Sequence, residues 1–226
     1  MTATGERQLS GTAAASGLAR GTLHPFHDRR PAFRSGGAEA DRAALARAIA
    51  RAADALTELM SGTDSDEAAG MLAFQVAMLE DETLSDPAYA AIEAGQPADE
   101  AWFDTLGALI ADFADSDDPT FAARSADLID LRDRVLDALC GRAGGLGTLP
   151  PGAILVAEDV TPSRFLEVDW SHAAGMALAA GSRASHVAIL ARGRGVPMLV
   201  GLGKAAGELP AGAPAWLDAD RGLLVV

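Results

Sequence analysis

The run Gly181-Ser182-Arg183-Ala184-Ser185-His186-Val187-Ala188-Ile189-Leu190-Ala191-Arg192 governs how the rest of the chain is read. A turn of small residues delivers a serine and a histidine to the start of Val187–Arg192, which reads as a short helix closed by Gly193 and Gly195. The first amides of a helix have no intrahelical acceptor, and that end carries partial positive charge, so it is suited to anions. The same field disfavours an imidazolium, which favours a neutral, nucleophilic histidine. A phosphoryl group on His186 would meet the open amides, with the Ser185 hydroxyl adding a hydrogen bond and Arg183 a cation. Arg192 lies roughly 240° around the helix from His186, which predicts a structural role at the helix C-terminus instead. On these residues alone two readings stand: a phosphoryl acceptor, or a capped helix with an exposed histidine.

Working outward, the texture on both sides is α/β. Val196–Val200 reads as a strand, and Ala215–Asp218 and Leu223–Val226 flank the hairpin turn Asp220-Arg221-Gly222. Upstream, Ile154–Ala157 is a short apolar strand and Gly175–Ala180 a small apolar run. Between them Thr161-Pro162-Ser163 can open a helix, with Thr161 or Ser163 as its capping oxygen. Gly141–Gly152 contains five glycines and two prolines and reads as a domain boundary. Before it, from Ala38 to Cys140, the spacing of apolar residues is helical. Leu45, Ile49, Ala53, Leu56 and Met60 mark a first helix; Met71, Phe74, Gln75, Met78 and Leu79 mark a second that stops before Pro87. After a short turn of helix around Tyr89–Ile92, Trp102, Leu106, Leu109, Ile110 and Phe113 mark a third, and Phe121, Leu128, Leu131, Val135 and Leu139 a fourth. Four amphipathic helices with short connections predict a bundle. Ahead of them, Leu9–Leu23 reads as a turn plus a short strand around Ala19–His24.

Composition narrows the partners. Lys+Arg total 18 against 32 for Asp+Glu, a formal charge of −14, so the surface repels nucleic acid and anionic membranes; on charge alone two readings stand, attraction of a basic protein partner or a surface that only keeps the protein soluble. No apolar stretch approaches the ~20 residues of a membrane span, and Met1–Arg20 lacks the apolar run of a secretory signal. The single cysteine, Cys140, cannot form an intrachain disulfide; it ends an apolar helical pattern and reads as a buried small residue. These features together predict a cytoplasmic protein. His24, His27 and His172 have no acidic or cysteine partner at metal spacing and read as surface or satisfied histidines.

Ser185-His186-x-Ala188-Ile189-x-Ala191-Arg192 with Gly195-Val196-Pro197-x-x-Val200-Gly201 resembles the phosphohistidine signature of phosphoenolpyruvate-utilising enzymes. Glu158-Asp159-Val160-Thr161-Pro162-Ser163, Met78-Leu79-Glu80-Asp81-Glu82, the run Ala123–Asp130 and Leu217–Gly222 resemble further segments of Enzyme I of the sugar phosphotransferase system, in the same order. The resemblance implies an α/β phosphohistidine (swivelling) domain, residues 1–36 and 142–226, split by an inserted four-helix bundle, residues 37–141. It further implies that His186 is phosphorylated and that the helices dock a small basic HPr-like phosphocarrier, with Gln75, Glu80, Asp81, Glu82 and Arg124 on or near the docking surface. The three acids serve equally well to cap or solvate a helix end, and a solvated helix face accounts for Gln75 and Arg124 nearly as well. No cofactor is expected in this chain: Mg2+ and phosphoenolpyruvate belong, in the family, to a C-terminal barrel of roughly 200–250 further residues. A form without that barrel resembles the Enzyme I-like module of a DhaM-type phosphotransfer subunit of dihydroxyacetone kinase. The family usually has Gly-Gly-x-Thr ahead of the Ser-His pair, where this chain has Gly181-Ser182-Arg183-Ala184.

The expected activity is therefore a phosphotransferase relay in which the His186 imidazole exchanges a phosphoryl group with a phosphohistidine on the carrier. A non-catalytic carrier-binding or regulatory module is the competing expectation, favoured by Ala184 and opposed by the intact Ser-His-x-Ala-Ile run. The mobile domain of a pyruvate phosphate dikinase-like enzyme fits less well, because the inserted helices match the Enzyme I arrangement.

Overall fold

Five successive apolar residues, Ala153–Ala157, are what a strand covered on both faces requires, and they form a central strand of the sheet. The computed structural model describes residues 7–26, 33–63, 65–116, 119–142, 146 and 148–226, and of residues 119–123 the backbone alone. His27 and, within the glycine-rich boundary, residues 143–145 and 147 lie outside the described residues. Contacts divide the chain into two units, Met1–Asp28 with Leu146–Val226, and Arg29–Gly145.

The first unit is an eight-stranded mixed sheet. Its strands are β1 (Gln8–Ser10), β2 (Thr12–Ala15), β3 (Leu18–Pro25), β4 (Ala153–Ala157), β5 (Gly175–Leu178), β6 (Met198–Val200), β7 (Pro214–Asp218) and β8 (Leu223–Val225), in the order β1-β8-β7-β3-β4-β5-β6-β2. β3, β4, β5 and β6 run parallel; β7 and β2 pair antiparallel on either side of them. Alternation along β4 splits the core: Leu155 and Ala157 face one side with Phe165, Leu178, Val187 and Ala188, while Ile154 and Val156 face the other with Leu23, Leu199, Leu217 and Leu224. The predicted hairpin is present as β7 and β8, paired antiparallel. Gly21 is required where β3 meets the start of β4, because a Cβ there would lie 1.9 Å from the Gly152 carbonyl oxygen. β1 and β2 are not expected from the sequence, where this stretch reads as a turn. Thr12–Ala15 carries no strand-like alternation of large residues and becomes a strand through its pairing with β6.

The second unit contains five helices among the described residues, not four. They are α1 (Ala38–Ser61), α2 (Asp66–Glu80), α3 (Glu82–Glu93), α4 (Ala98–Ala114) and α5 (Pro119–Leu139). Pro87 does not stop a helix. Asp81 turns the chain in an extended conformation and caps α3, and Pro87, sixth in that helix, withholds one N–H. Burial of Leu84, Ala88 and Ile92 on one stripe outweighs that loss. The α1 stripe is Asp41, Leu45, Ala48, Ala52 and Leu56, with the predicted Ile49, Ala53 and Met60 half-buried beside it. The buried Asp41 accepts from Gly36 N (2.8 Å) and Ala98 N (3.2 Å), so one carboxylate serves the starts of α1 and α4. Trp102 is fully buried, as its helical spacing predicts, while Phe103 is half-buried under the Arg132 guanidinium. Cys140 is half-buried rather than buried, and burial with nearby Asp99 and Asp137 pushes its thiol above the usual range.

Candidate functional site

The first unit also carries two α-helices among the described residues, α6 (Pro162–Glu167) and α7 (His186–Arg194), and a 3-10 turn at Lys204–Glu208. Thr161 holds the N-cap position of α6, but its side chain makes no capping hydrogen bond, so neither Thr161 nor Ser163 supplies the expected capping oxygen. The loop joining β5 to α7 leaves the carboxyl end of a parallel strand, the usual place for a site in such sheets. Its start is tied down: Ala180 N donates to Glu158 O (2.8 Å), and Gly201 N donates to Ala180 O (3.0 Å). Gly181 then adopts φ 86°, a left-handed conformation that glycine accepts without strain. A turn follows, closed by Ser185 N donating to Ser182 O (3.2 Å).

Ser185 is the N-cap of α7, its side-chain oxygen accepting from Ala188 N at 3.2 Å. A hydroxyl has one donor besides its acceptor pairs, so the capping Ser185 keeps its proton for a second partner. The first helical bond runs from Ile189 N to Ser185 O (3.1 Å). The amides of His186 and Val187 thus have no acceptor among the described residues, and these two donors point out of the helix start. His186 is the first helical residue, half-buried, and its ring makes no hydrogen bond among the described residues. Histidine, capping serine and open amides stand together at one helix start.

Arg183 is exposed and makes no ion pair among the described residues. With Ala13, Ala14, Ser16, Ala184 and Arg192 it lines a cleft of about 510 Å3. Arg192 does not serve the C-terminus of α7. Its Nη1 donates to Ala14 O (2.8 Å) and Arg183 O (3.1 Å), because helical side chains lean back towards the N-terminus. The helix is ended by Gly195 at φ 65°, while Gly193 lies inside it.

Asp159, in the loop after β4, lies against Gly181: its Oδ1 would be 3.6 Å from a Cβ there. The same oxygen accepts from Val160 N (2.8 Å). Burial raises its carboxyl above the ordinary value; the Val160 bond opposes this, and Glu158 adds to it. A folded-state pKa above the unfolded one means that the native protein holds more proton, so stability falls as pH rises from the ordinary carboxylate value through the raised one. Asp159→Asn keeps the oxygen and cannot ionise. Its melting temperature relative to wild type is expected to climb between acid and neutral pH; a difference that stays flat across that range would refute the assignment.

The remaining histidines divide. His24 is half-buried on β3. His172 is exposed but has a partner: its Nδ1 lies 3.1 Å from Asp169 Oδ2 and 2.8 Å from Ser171 Oγ. Because both contacts fall on one nitrogen, this trio cannot relay a proton from serine to carboxylate.

In the helical unit the anticipated docking residues separate. Gln75 is fully buried and donates to Asp130 Oδ2 (3.1 Å), so it has no surface to offer. The spacing Met71, Gln75, Leu79 places it on the buried stripe. Asp81 caps α3, its Oδ1 accepting from both Thr83 N (2.9 Å) and Thr83 Oγ1 (2.7 Å), which holds its carboxyl below the usual range. Glu80 and Glu82 are exposed and line a cleft of about 650 Å3 with Glu39 and Asp86, over Leu79 and Ile49. Arg124 pairs with Asp127 (3.1 Å) and lies over the Phe74 ring at 4.2 Å.

Two family profiles match the chain: "PEP-utilising enzyme, N-terminal" over residues 10–124 and "PEP-utilising enzyme, mobile domain" over residues 149–222. The chain belongs to the phosphoenolpyruvate-utilising enzymes. Within this family it is 34% identical over 162 residues to the phosphoenolpyruvate-protein phosphotransferase of Haloferax volcanii, covering 71% of this chain and 28% of that protein. It is 31% identical over 222 residues to multiphosphoryl transfer protein 1 of Escherichia coli K12, covering 96% of this chain and 27% of that one. The chain thus spans little more than a quarter of the length of these curated relatives. The solution structure of Enzyme I (nEIt) superposes with a TM-score of 0.74 at 23% identity, covering 96% of this chain and 91% of that one. The N-terminal domain of Enzyme 1 - Nitrogen gives 0.65 at 22%, covering 96% and 93%. The fold is that of the Enzyme I N-terminal domain: an α/β phosphohistidine domain carrying an inserted helical bundle. Among the described residues no helix is long and apolar enough to cross a membrane.

Proposed function

We propose that the chain is a cytoplasmic phosphoryl relay, phosphorylated on His186 in exchange with an HPr-like phosphocarrier docked on the helical unit. The observation that carries this reading is the start of α7: an imidazole without a hydrogen-bond partner among the described residues, flanked by two open amides and a capping serine with a proton to donate. One P–N bond forms at His186 as the carrier's P–N bond breaks, so the bond type is conserved and transfer runs readily in both directions. The chain's task is positioning and charge stabilisation, the usual terms for phosphoryl transfer. The His186 and Val187 amides and the Ser185 hydroxyl receive the phosphoryl oxygens, and Arg183 is a further cation within the same loop.

The residues of the α/β unit form the phosphohistidine domain in this reading, and those of the helical unit form the carrier-binding domain. Glu80 and Glu82, on an acidic cleft with an apolar floor, offer a basic carrier both charge and contact area. Arg124, half-buried beside Asp127 and Phe74, is retained as a docking residue. Gln75 is not, because it is buried. Dihydroxyacetone kinase subunits are candidate downstream partners, and phosphoenolpyruvate with Mg2+ would act through a domain other than these two.

The test is intact mass after mixing the protein with a phosphorylated HPr-type carrier. An acid-labile gain of one phosphoryl group is expected. No gain, with carriers from several sources confirmed charged, would leave the carrier-binding module, the reading that Ala184 favours.

A further inference from the structure

We propose that Arg192 is a positioning residue for His186: it clamps the phosphohistidine loop to β2 by bridging two backbone carbonyls with one guanidinium nitrogen. The inference rests on the relay reading for its kinetic consequence and on the geometry alone for its structural one.

The loop between β5 and α7 is held at its start by the Ala180 bonds and at its end by the Ser185 cap. Between them, the turn bond from Ser185 N to Ser182 O is internal to the loop and fixes its shape, not its place. Arg192 supplies the missing external tie. Each hydrogen on its Nη1 meets one carbonyl, Arg183 O within the loop and Ala14 O on β2. Planarity is what allows this: two N–H bonds diverge from one nitrogen in a fixed fork. β2 belongs to the N-terminal piece of the α/β unit, and the bond to Ala14 spans a sequence separation of 178 residues. The clamp therefore locks the loop to the half of the domain that precedes the helical insertion. It also leaves the Nε and Nη2 hydrogens of Arg192 without a described acceptor, in the cleft that Arg183 lines.

Phosphoryl transfer is sensitive to such a tie, since a misplacement of about 1 Å can cost roughly a hundredfold in rate. The carrier docks elsewhere in this reading, so its affinity is independent of the clamp. Arg192→Ala is expected to slow phosphoryl transfer from a charged HPr-type carrier by about tenfold to a hundredfold, with the carrier KM unchanged. Added guanidinium ion restores part of the rate in that variant and none in wild type. Arg192→Lys, with a point charge in place of a fork, falls between the two. An unchanged rate overturns the proposal; so does a loss that guanidinium leaves unrepaired. Amide hydrogen exchange tests the clamp independently of transfer: Ser185 N–H is expected to exchange faster in Arg192→Ala, and equal exchange overturns the clamp even if the relay stands. A wild type that accepts no phosphoryl group, with the Ser185 amide still deprotected in the variant, overturns the relay and keeps the clamp.

Discussion

His186→Ala is expected to abolish the acid-labile phosphoryl adduct while leaving the melting temperature and carrier affinity unchanged. The reason lies in where the residue sits. It is the first residue of α7, half-buried, with no hydrogen-bond partner among the described residues and outside the packed core, so truncating it removes little contact. Alanine is also the best helix former and suits that position. The chemistry has no substitute, because neither the Ser185 hydroxyl nor the Arg183 guanidinium is a nucleophile near neutral pH. Loss should therefore exceed the tenfold to hundredfold expected of Arg192→Ala and reach the detection limit. Ser185→Ala provides the scale between them. It costs about 1 kcal/mol of helix capping and one phosphoryl hydrogen bond, so the adduct still forms, more slowly. An adduct that persists in His186→Ala would place the acceptor on another residue, with His24 and His172 the next candidates.

Much of this is legible from residues 181–201 because local rules act there: a small-residue turn, a serine cap and a glycine stop each need only near neighbours. The five-residue apolar run of β4 and the Asp-Arg-Gly hairpin are readable for the same reason. What is not legible depends on partners distant in sequence. β2 is a strand through β6, and Arg192 is a clamp through Ala14; neither partnership leaves a local pattern. Pro87 reads as a stop because one missing N–H is a local fact, whereas the burial of three side chains that outweighs it depends on partners the sequence does not name. Gln75 is a different case. Its spacing from Met71 and Leu79 argues for burial by itself, and a match to a docking segment does not say which face of the helix a residue takes. Asp41 shows the same signature, a polar residue in step with an apolar stripe, and it too is buried and fully engaged.

Phe165→Ala is expected to give the opposite profile to His186→Ala: a large loss of stability with chemistry intact in the cold. Phe165 is fully buried in α6, in the core cluster that also holds Val187, Ala188 and Ala191 of α7. Its ring stacks on Trp170 at 4.8 Å between centroids, and the Trp170 Nε1 donates to the Phe165 carbonyl (2.9 Å). Truncation removes the ring and leaves a cavity between β4, β5 and the two helices, costing about 3–5 kcal/mol. For a domain near 100 residues each kcal/mol lowers Tm by about 4 °C or more, so a fall on the order of 15 °C is expected. It should be confined to one unit. Followed amide by amide on heating, signals of the α/β unit should vanish early while those of the helical unit keep their wild-type transition. Below the lowered transition the adduct should still form on His186, since the Ser185 cap and the loop bonds do not involve the ring. Simultaneous loss of both units would show that they unfold as one and that the boundary at Asp28 and Leu146 divides contacts without dividing stability.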